Sequence, residues 1–418
     1  MALEPSRMDS IRRPVSAERP EMKPSTSQPG GGVHPDFSLI EGGLLFPFLR
    51  WAHLSDDALR GLRLRVIVIA LTAWLPLLVL SALEGRMLGV SVPFLLDVEA
   101  HVRFLVALPL LLIAELEAHL RLTPLLRQFL ERRLIPENAI PRFEAVVTST
   151  LRLRRAVLPE VLILVFVYGV GVLIIWRHVL VLDTDTWYLS ASAEGSKLTL
   201  AGIWYGYVSL PIVQFLLLRW YWQLFVWARL LWQVSRIKLS LLPAHPDRAG
   251  GLGFLADTGY SFAMLAAALG ALAAGHIASR IFFAGARLSE FADEIVVLVA
   301  FVLCVIFGPL LFFAQQLAVA KLVGRRQYGM LGERYVRTFD DKWLDGRGED
   351  ESLVGSADIQ SLADLSNSYA VVESMRFAPI TKQAILGAVA ATLVPIAPLL
   401  LTIIPLNELV QKLLGIVF

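Results

Sequence analysis

The stretch LLPAHPDRAGGLGFLADTGY, residues 241–260, sets ligand-type side chains beside a run of glycines. His245, Asp247 and Arg248 come first, and Gly250, Gly251 and Gly253 follow. Glycines just ahead of a helix leave backbone N–H groups free, and those groups with the positive dipole end favour an anion. Arg248 adds a fixed charge, so the pattern suits a phosphate or a lipid headgroup. No Gly-Lys-Ser/Thr follows, which excludes a Walker loop, and no strand precedes, which excludes a dinucleotide-binding turn. His245 and Asp247 at i, i+2 are too few ligands for a metal. The same residues also fit a plain connection, in which Pro243 and Pro246 stop one helix, the glycines turn the chain, and Asp247 pairs with Arg248 or caps.

Ionisable residues inside apolar runs are the other candidates, because a charge in lipid is costly and is kept for a reason. Glu115, Glu117 and His276 qualify. Glu117 is four residues before Arg121 and Glu115 four before His119, the spacing of neighbours on a helix. Glu117 reads as paired with Arg121 at a membrane edge, whereas Glu115 must face protein or water. His276, one turn before Arg280, reads as a packing histidine or a proton relay. Enzyme signatures such as H-E-x-x-H and G-x-S-x-G are missing. Ser235 and Lys238 fit S-x-x-K only formally. No catalytic residue, metal or cofactor is assigned.

The elements that must position these residues are membrane helices. The chain has 418 residues, 56% hydrophobic and 18% charged, with mean hydropathy +0.63, against about 25% charged residues in soluble domains. Its apolar residues gather into runs near the ~20 residues that cross a bilayer core. Seven spans are expected, near 64–83, 102–120, 157–176, 199–232, 260–283, 295–317 and 384–404, giving an all-α polytopic membrane protein. Residues 1–36 read as a disordered cytoplasmic tail rich in Pro, Ser and Gly, 37–63 as an interfacial segment, and 64–418 as the membrane domain. Within it, 321–382 form the one sizeable cytoplasmic loop, with an amphipathic helix expected over 357–377. The segment 407–418 alternates as a short surface helix would. Of the 38 Lys and Arg residues, all but Arg86, Arg103, Arg177, Lys197, Arg280, Arg287 and Lys412 fall on one set of alternate connections. Basic residues are retained inside, so the N-terminus is expected in the cytoplasm and the C-terminus outside.

The fourth run is too long for one crossing and is expected to leave the membrane around Arg219, with Trp220, Tyr221, Trp222, Trp227 and Trp232 at headgroup level. Residues 142–156 read as a basic juxtamembrane helix. In the fifth run Ala266, Gly270, Ala274 and Ala278 recur every four residues, as do Ala263, Ala267, Ala271 and Gly275, which marks a closely packed central helix. Gly308-Pro309 marks a kink. A net charge of +2 gives no reason to expect a nucleic-acid partner; membrane lipids, anionic ones in particular, are the expected partners. The lone Cys304 leaves no intramolecular disulfide.

Four segments, AHPDRAGGLGFL, RLIPENAIPRFEAVV, NSYAVVESMRFAPI and PIAPLLLTIIPLNELVQKLLG, together resemble a family of uncharacterised bacterial multi-pass membrane proteins. The resemblance covers most of the chain after about residue 36. It implies a bacterial inner-membrane location and lends no catalytic residue. The function expected is a non-enzymatic scaffold or sensor that binds anionic headgroups or a phosphate ligand at its cytoplasmic face. The alternative is a transporter or channel that uses Glu115 and His276.

Overall fold

A computed structural model describes residues 58–175, 186–190, 197–345 and 356–402. The expected N-terminal tail, most of the interfacial segment, residues 346–355 of the expected cytoplasmic loop and the expected C-terminal surface helix lie outside the described residues. The described chain is almost entirely helical. Its long helices are α1 (Ala58–Leu83), α2 (Leu108–Glu131), α3 (Ile140–Arg155), α4 (Val157–Phe166), α5 (Leu210–Val234), α6 (Ala263–Ala284), α7 (Ala292–Phe307), α8 (Ala314–Trp343), α9 (Ala357–Glu373) and α10 (Lys382–Leu393). A two-residue hairpin pairs β1 (Leu189–Ser190) with β2 (Lys197–Leu198), Leu189 opposite Leu198. Four segments are long and apolar enough to cross a membrane: Arg63–Leu83, Leu200–Val234, Gly253–Ala284 and Leu288–Trp343.

Prolines shape these helices in a consistent way. A proline removes one N–H and frees the carbonyl four residues earlier, which in an apolar setting needs another donor. Pro76 frees the Thr72 carbonyl, and Trp204 Nε1 donates to it at 3.2 Å. Pro211 frees the Tyr207 carbonyl, which accepts from the Tyr168 hydroxyl at 3.1 Å. The chain ahead of α2 and of α5 widens into π-helical turns, Arg103–Ala107 and Tyr205–Ser209, just before Pro109 and Pro211.

The most central helix is the one with the small-residue rows. In its best apolar window 61% of the residues are buried, against 22–39% for the other three long segments. Ala266, Gly270, Ala274 and Ala278 are all buried. A Cβ on Gly270 would stand 2.0 Å from the Thr392 carbonyl oxygen, so α6 and α10 touch backbone to backbone there.

One expectation is corrected: the helix of the sixth apolar run does not end near residue 317. After the Gly308-Pro309 step, a 3₁₀ segment (Gly308–Phe313) leads straight into α8, which continues to Trp343. Residues 321–343 of the supposed loop therefore belong to this helix, and α9 packs along it. In the fourth run, Arg219 faces the interior of the protein. Its side chain is buried, as are Trp220 and Trp227, and only Tyr221 and Trp232 of the aromatic set are exposed. An arginine set among aromatics resembles an interface signal, but carboxylates on two neighbouring helices supply the partners that draw it inward.

Candidate functional site

The glycine-rich stretch folds as a loop organised around its own aspartate. Asp247 Oδ1 accepts from the N–H of Ala249 at 2.8 Å and of Gly251 at 3.2 Å. Its Oδ2 accepts from the N–H of Gly253 at 2.7 Å. The backbone bends enough to converge these donors because Arg248, Gly250 and Gly251 all take positive φ, at 55°, 64° and 98°. Only glycine adopts such values without steric cost, so Arg248 carries local strain. His245 Nδ1 lies 2.9 Å from Asp247 Oδ1. Burial pushes the Asp247 carboxyl up, but the three backbone donors outweigh it and hold the group below the usual carboxylate range.

The concave set of N–H groups that could cradle an anion therefore holds an anion already, the side chain of Asp247. Two of the three glycines expected to receive a guest donate to it, and Gly250 is buried in the turn. Arg248 is the exposed member of the group, its guanidinium free to meet solvent or a headgroup.

The loop is also latched to the rest of the protein. Arg376 Nη2 donates to the Asp247 carbonyl at 2.7 Å and the Arg376 N–H to the Arg248 carbonyl at 2.8 Å. Arg132, at the end of α2, reaches the Gly251 carbonyl at 3.4 Å and stacks over Phe254. Gln316 joins α8 to the chain after α5, donating to the carbonyls of Ser235 and Ile237 and accepting from the Leu239 N–H. The polar residues of this region fix the junction of four segments.

Glu115 belongs to a separate, buried cluster. Arg219 Nη2 lies 2.8 Å from Glu115 Oε1, and Arg219 Nε donates to Glu160 Oε1 at 3.2 Å. These three residues sit on α2, α4 and α5 and expose 19%, 7% and 9% of their side chains in the order Glu115, Glu160, Arg219. Arg154 on α3 and Arg65 on α1 add positive potential at Glu115. Sequence reading places Glu115 beside His119; the structure turns it to Arg219 instead. Glu160 and Arg154 were not among the expected site residues. The signal was present, since a lone Glu in the apolar run VLPEVLILVF has to find a cation. Glu117 pairs with Arg121 at 2.7 Å on a half-exposed surface, the i, i+4 pair that its spacing suggests.

His276 lies in a third group. Its Nδ1 is 3.7 Å from Glu99 Oε2, and its side chain is half exposed. Glu99 also pairs with Arg103, which in turn donates to the Tyr205 hydroxyl. Nearby, buried Asp97 accepts from Trp187 Nε1 at 2.7 Å and from the Ala100 N–H at 3.0 Å. Arg86 holds the β1 strand through the carbonyls of Thr186 and Leu189 and the Ser190 hydroxyl. Glu99 and Glu115 share one continuous helical run, and sixteen residues at 1.5 Å each separate them by about 24 Å. Among the described residues no three His, Cys, Asp or Glu side chains converge as a metal site.

Comparison with protein-family models, with curated proteins and with solved structures found no match to the chain.

Proposed function

We propose that the chain is a non-enzymatic, seven-span protein of a bacterial inner membrane whose cytoplasmic face engages anionic headgroups or phosphate through arginine and lysine side chains. The N-terminus lies in the cytoplasm and the C-terminus outside, as the partition of basic residues favours. The bacterial setting rests on the four segments that resemble the uncharacterised bacterial family. The shorter apolar helices Val157–Gly171 and Lys382–Leu393, with the helical run through Glu115, supply the three further crossings.

The observation that carries the reading is the arrangement around Arg248. Arg236, Lys238 and Arg248 are exposed, and the segments that carry them are tied together at one end of the bundle by the Arg132 guanidinium, which donates to the Gly251 carbonyl, and by the Ser240 N–H, which donates to the Leu134 carbonyl. Because Asp247 occupies the backbone donors, recognition works through side-chain charge, and binding is salt-sensitive and tolerant of headgroup shape. Vesicle flotation of the purified protein tests this. Retention should rise several-fold when phosphatidylglycerol replaces phosphatidylcholine, and Arg248→Ala should reduce it at low salt. Competition by free inorganic phosphate separates a soluble ligand from a lipid. Equal retention on neutral and anionic vesicles would discard the reading.

The transport reading draws support from one observation, the buried Glu115–Arg219–Glu160 cluster, since intramembrane charges often mark a conduction path. His276 stands in a different cluster, so this reading uses Glu115 without it. Loss of proton-coupled flux in Glu115→Gln proteoliposomes, with folding intact, would favour it.

A further inference from the structure

The α8–α9 hairpin is held only at its base. A Cβ on Gly324 would meet the Pro243 side chain at 2.4 Å, Val372 is fully buried, and Lys321 Nζ donates to the Met375 carbonyl. Beyond that base, no described residue from Arg325 to Val371 is buried. Helices of this length gain their stability from packing an apolar face, and two helices alone cover little of it. Yet the hairpin exposes Met330, Leu331, Val336 and Ile359. Between its helices lies an open groove of about 380 Å³ whose floor includes Gly329, Gly332, Leu365 and Tyr369.

The charges say what covers this face. Helix α8 carries six basic and three acidic residues, whereas α9 carries three acidic and none basic. The two helices thus bear opposite net charges of equal size. Two ion pairs join the helices of one hairpin near its ends, Lys342 to Asp358 at 3.0 Å and Arg325 to Glu373 at 3.7 Å, and Arg337 pairs with Glu333 along α8 itself. The middle keeps Arg326 and Arg334 on α8 and Asp364 on α9 at the surface. A surface carrying both a basic and an acidic helix is complementary to itself under a two-fold rotation, which sets each α8 against the partner's α9. We propose that the hairpin is a homodimerisation module in which two copies form an antiparallel four-helix bundle over the groove.

A dimer through this face buries the exposed apolar residues and pairs the central charges, and the outer part of the hairpin gains the core it lacks. A Cβ added at Gly332 would have nothing within 4 Å, so a bulky residue there folds within its own chain but fills the groove. The full-length protein in detergent, measured by light scattering coupled to size exclusion, should be a dimer. Gly332→Trp and Leu331→Arg should each shift it to monomer with helical content and melting of the membrane bundle unchanged. A contact centred on the groove also brings the two Gly332 positions together, so Cys304→Ser/Gly332→Cys should cross-link on oxidation in membranes. A wild-type monomer overturns the proposal, as does a dimer insensitive to both substitutions or a failure of the Gly332→Cys variant to cross-link. Monomer in which hydrogen exchange over 325–371 slows only on adding phosphatidylglycerol vesicles assigns the face to lipid and also overturns it.

Discussion

Arg219 Nη2 sits 2.8 Å from Glu115 Oε1, and the same guanidinium reaches Glu160 from its Nε. One arginine therefore ties α5 to α2 and α4 inside an apolar bundle. Removing a single member of such a group leaves an uncompensated charge, which costs more than removing the whole group. Arg219→Met should lower stability by about 3–5 kcal/mol, while Arg219→Met/Arg154→Met/Glu115→Leu/Glu160→Leu, which also removes the buried Arg154, should recover much of it. Denaturation followed by intrinsic fluorescence in detergent reads the difference. A quadruple variant no better than the single would show that the cluster stabilises by more than internal neutralisation.

Asp247 gives a prediction with a sign in pH. Its folded carboxyl is held below its ordinary value by the Ala249, Gly251 and Gly253 N–H groups, against the effect of burial. A depressed carboxylate stabilises fully above the unfolded value, near pH 4, and that contribution is lost as pH falls through the lower folded value. Asp247→Ala should cost about 1–3 kcal/mol at neutral pH by stranding the three donors. It should also flatten the acid limb of stability below pH 4. Melting temperatures from pH 3 to 7 for both proteins decide it; parallel curves would mean that the carboxylate is not the acceptor on which the loop depends.

The contact between α6 and α10 predicts a contrast between two glycines. A methyl at Gly270 would fall 2.0 Å from the Thr392 carbonyl, whereas Gly308 has open space around the same position. Gly270→Ala should destabilise by about 1–3 kcal/mol, the range for overpacking, because backbone and not a side chain must yield. Gly308→Ala should be neutral or stabilise by about 0.4–1 kcal/mol. Equal melting of the two variants would mean that the helices are not in backbone contact.

How far these features could be read from the chain depended on the range of the interaction. Four of the seven apolar runs, the small-residue rows of α6, the helix change at Gly308-Pro309 and the Glu117–Arg121 pair follow from local periodicity, and each appears in the fold. The partner of Glu115 lies more than a hundred residues away on α5, and no spacing rule reaches that far. Nor does the local pattern around Arg219 show that it is buried against Glu115 and Glu160, since that depends on the packing of α2 and α4. In the glycine loop the residue types do indicate an anion held by backbone donors. They leave open whether a guest or a capping Asp247 supplies it, and the choice of Asp247 depends on the positive φ values at Arg248, Gly250 and Gly251. The continuation of α8 past residue 317 went unseen for another reason: its charged residues read as loop once the apolar run ends.

Orientation supplies the last prediction. Lys and Arg are retained on the cytoplasmic side, and the effect is counted over short connections close to the spans. With seven crossings, the basic residues of 121–156, 219–258 and 321–382 share one side with the N-terminus, and only seven of the 38 fall opposite. A reporter enzyme that is active only outside the cytoplasm should therefore be active when fused after Phe418 and silent when inserted at 346–352. A reporter that fluoresces only in the cytoplasm should give the reverse pattern. No crossing, or an even number, between the two positions would place both on one side, so matching signals would remove the crossing expected at 384–404 and with it the seven-span arrangement. It would also remove the anionic leaflet from the Arg248 loop or the outer location from the Phe418 end, depending on which signal changed.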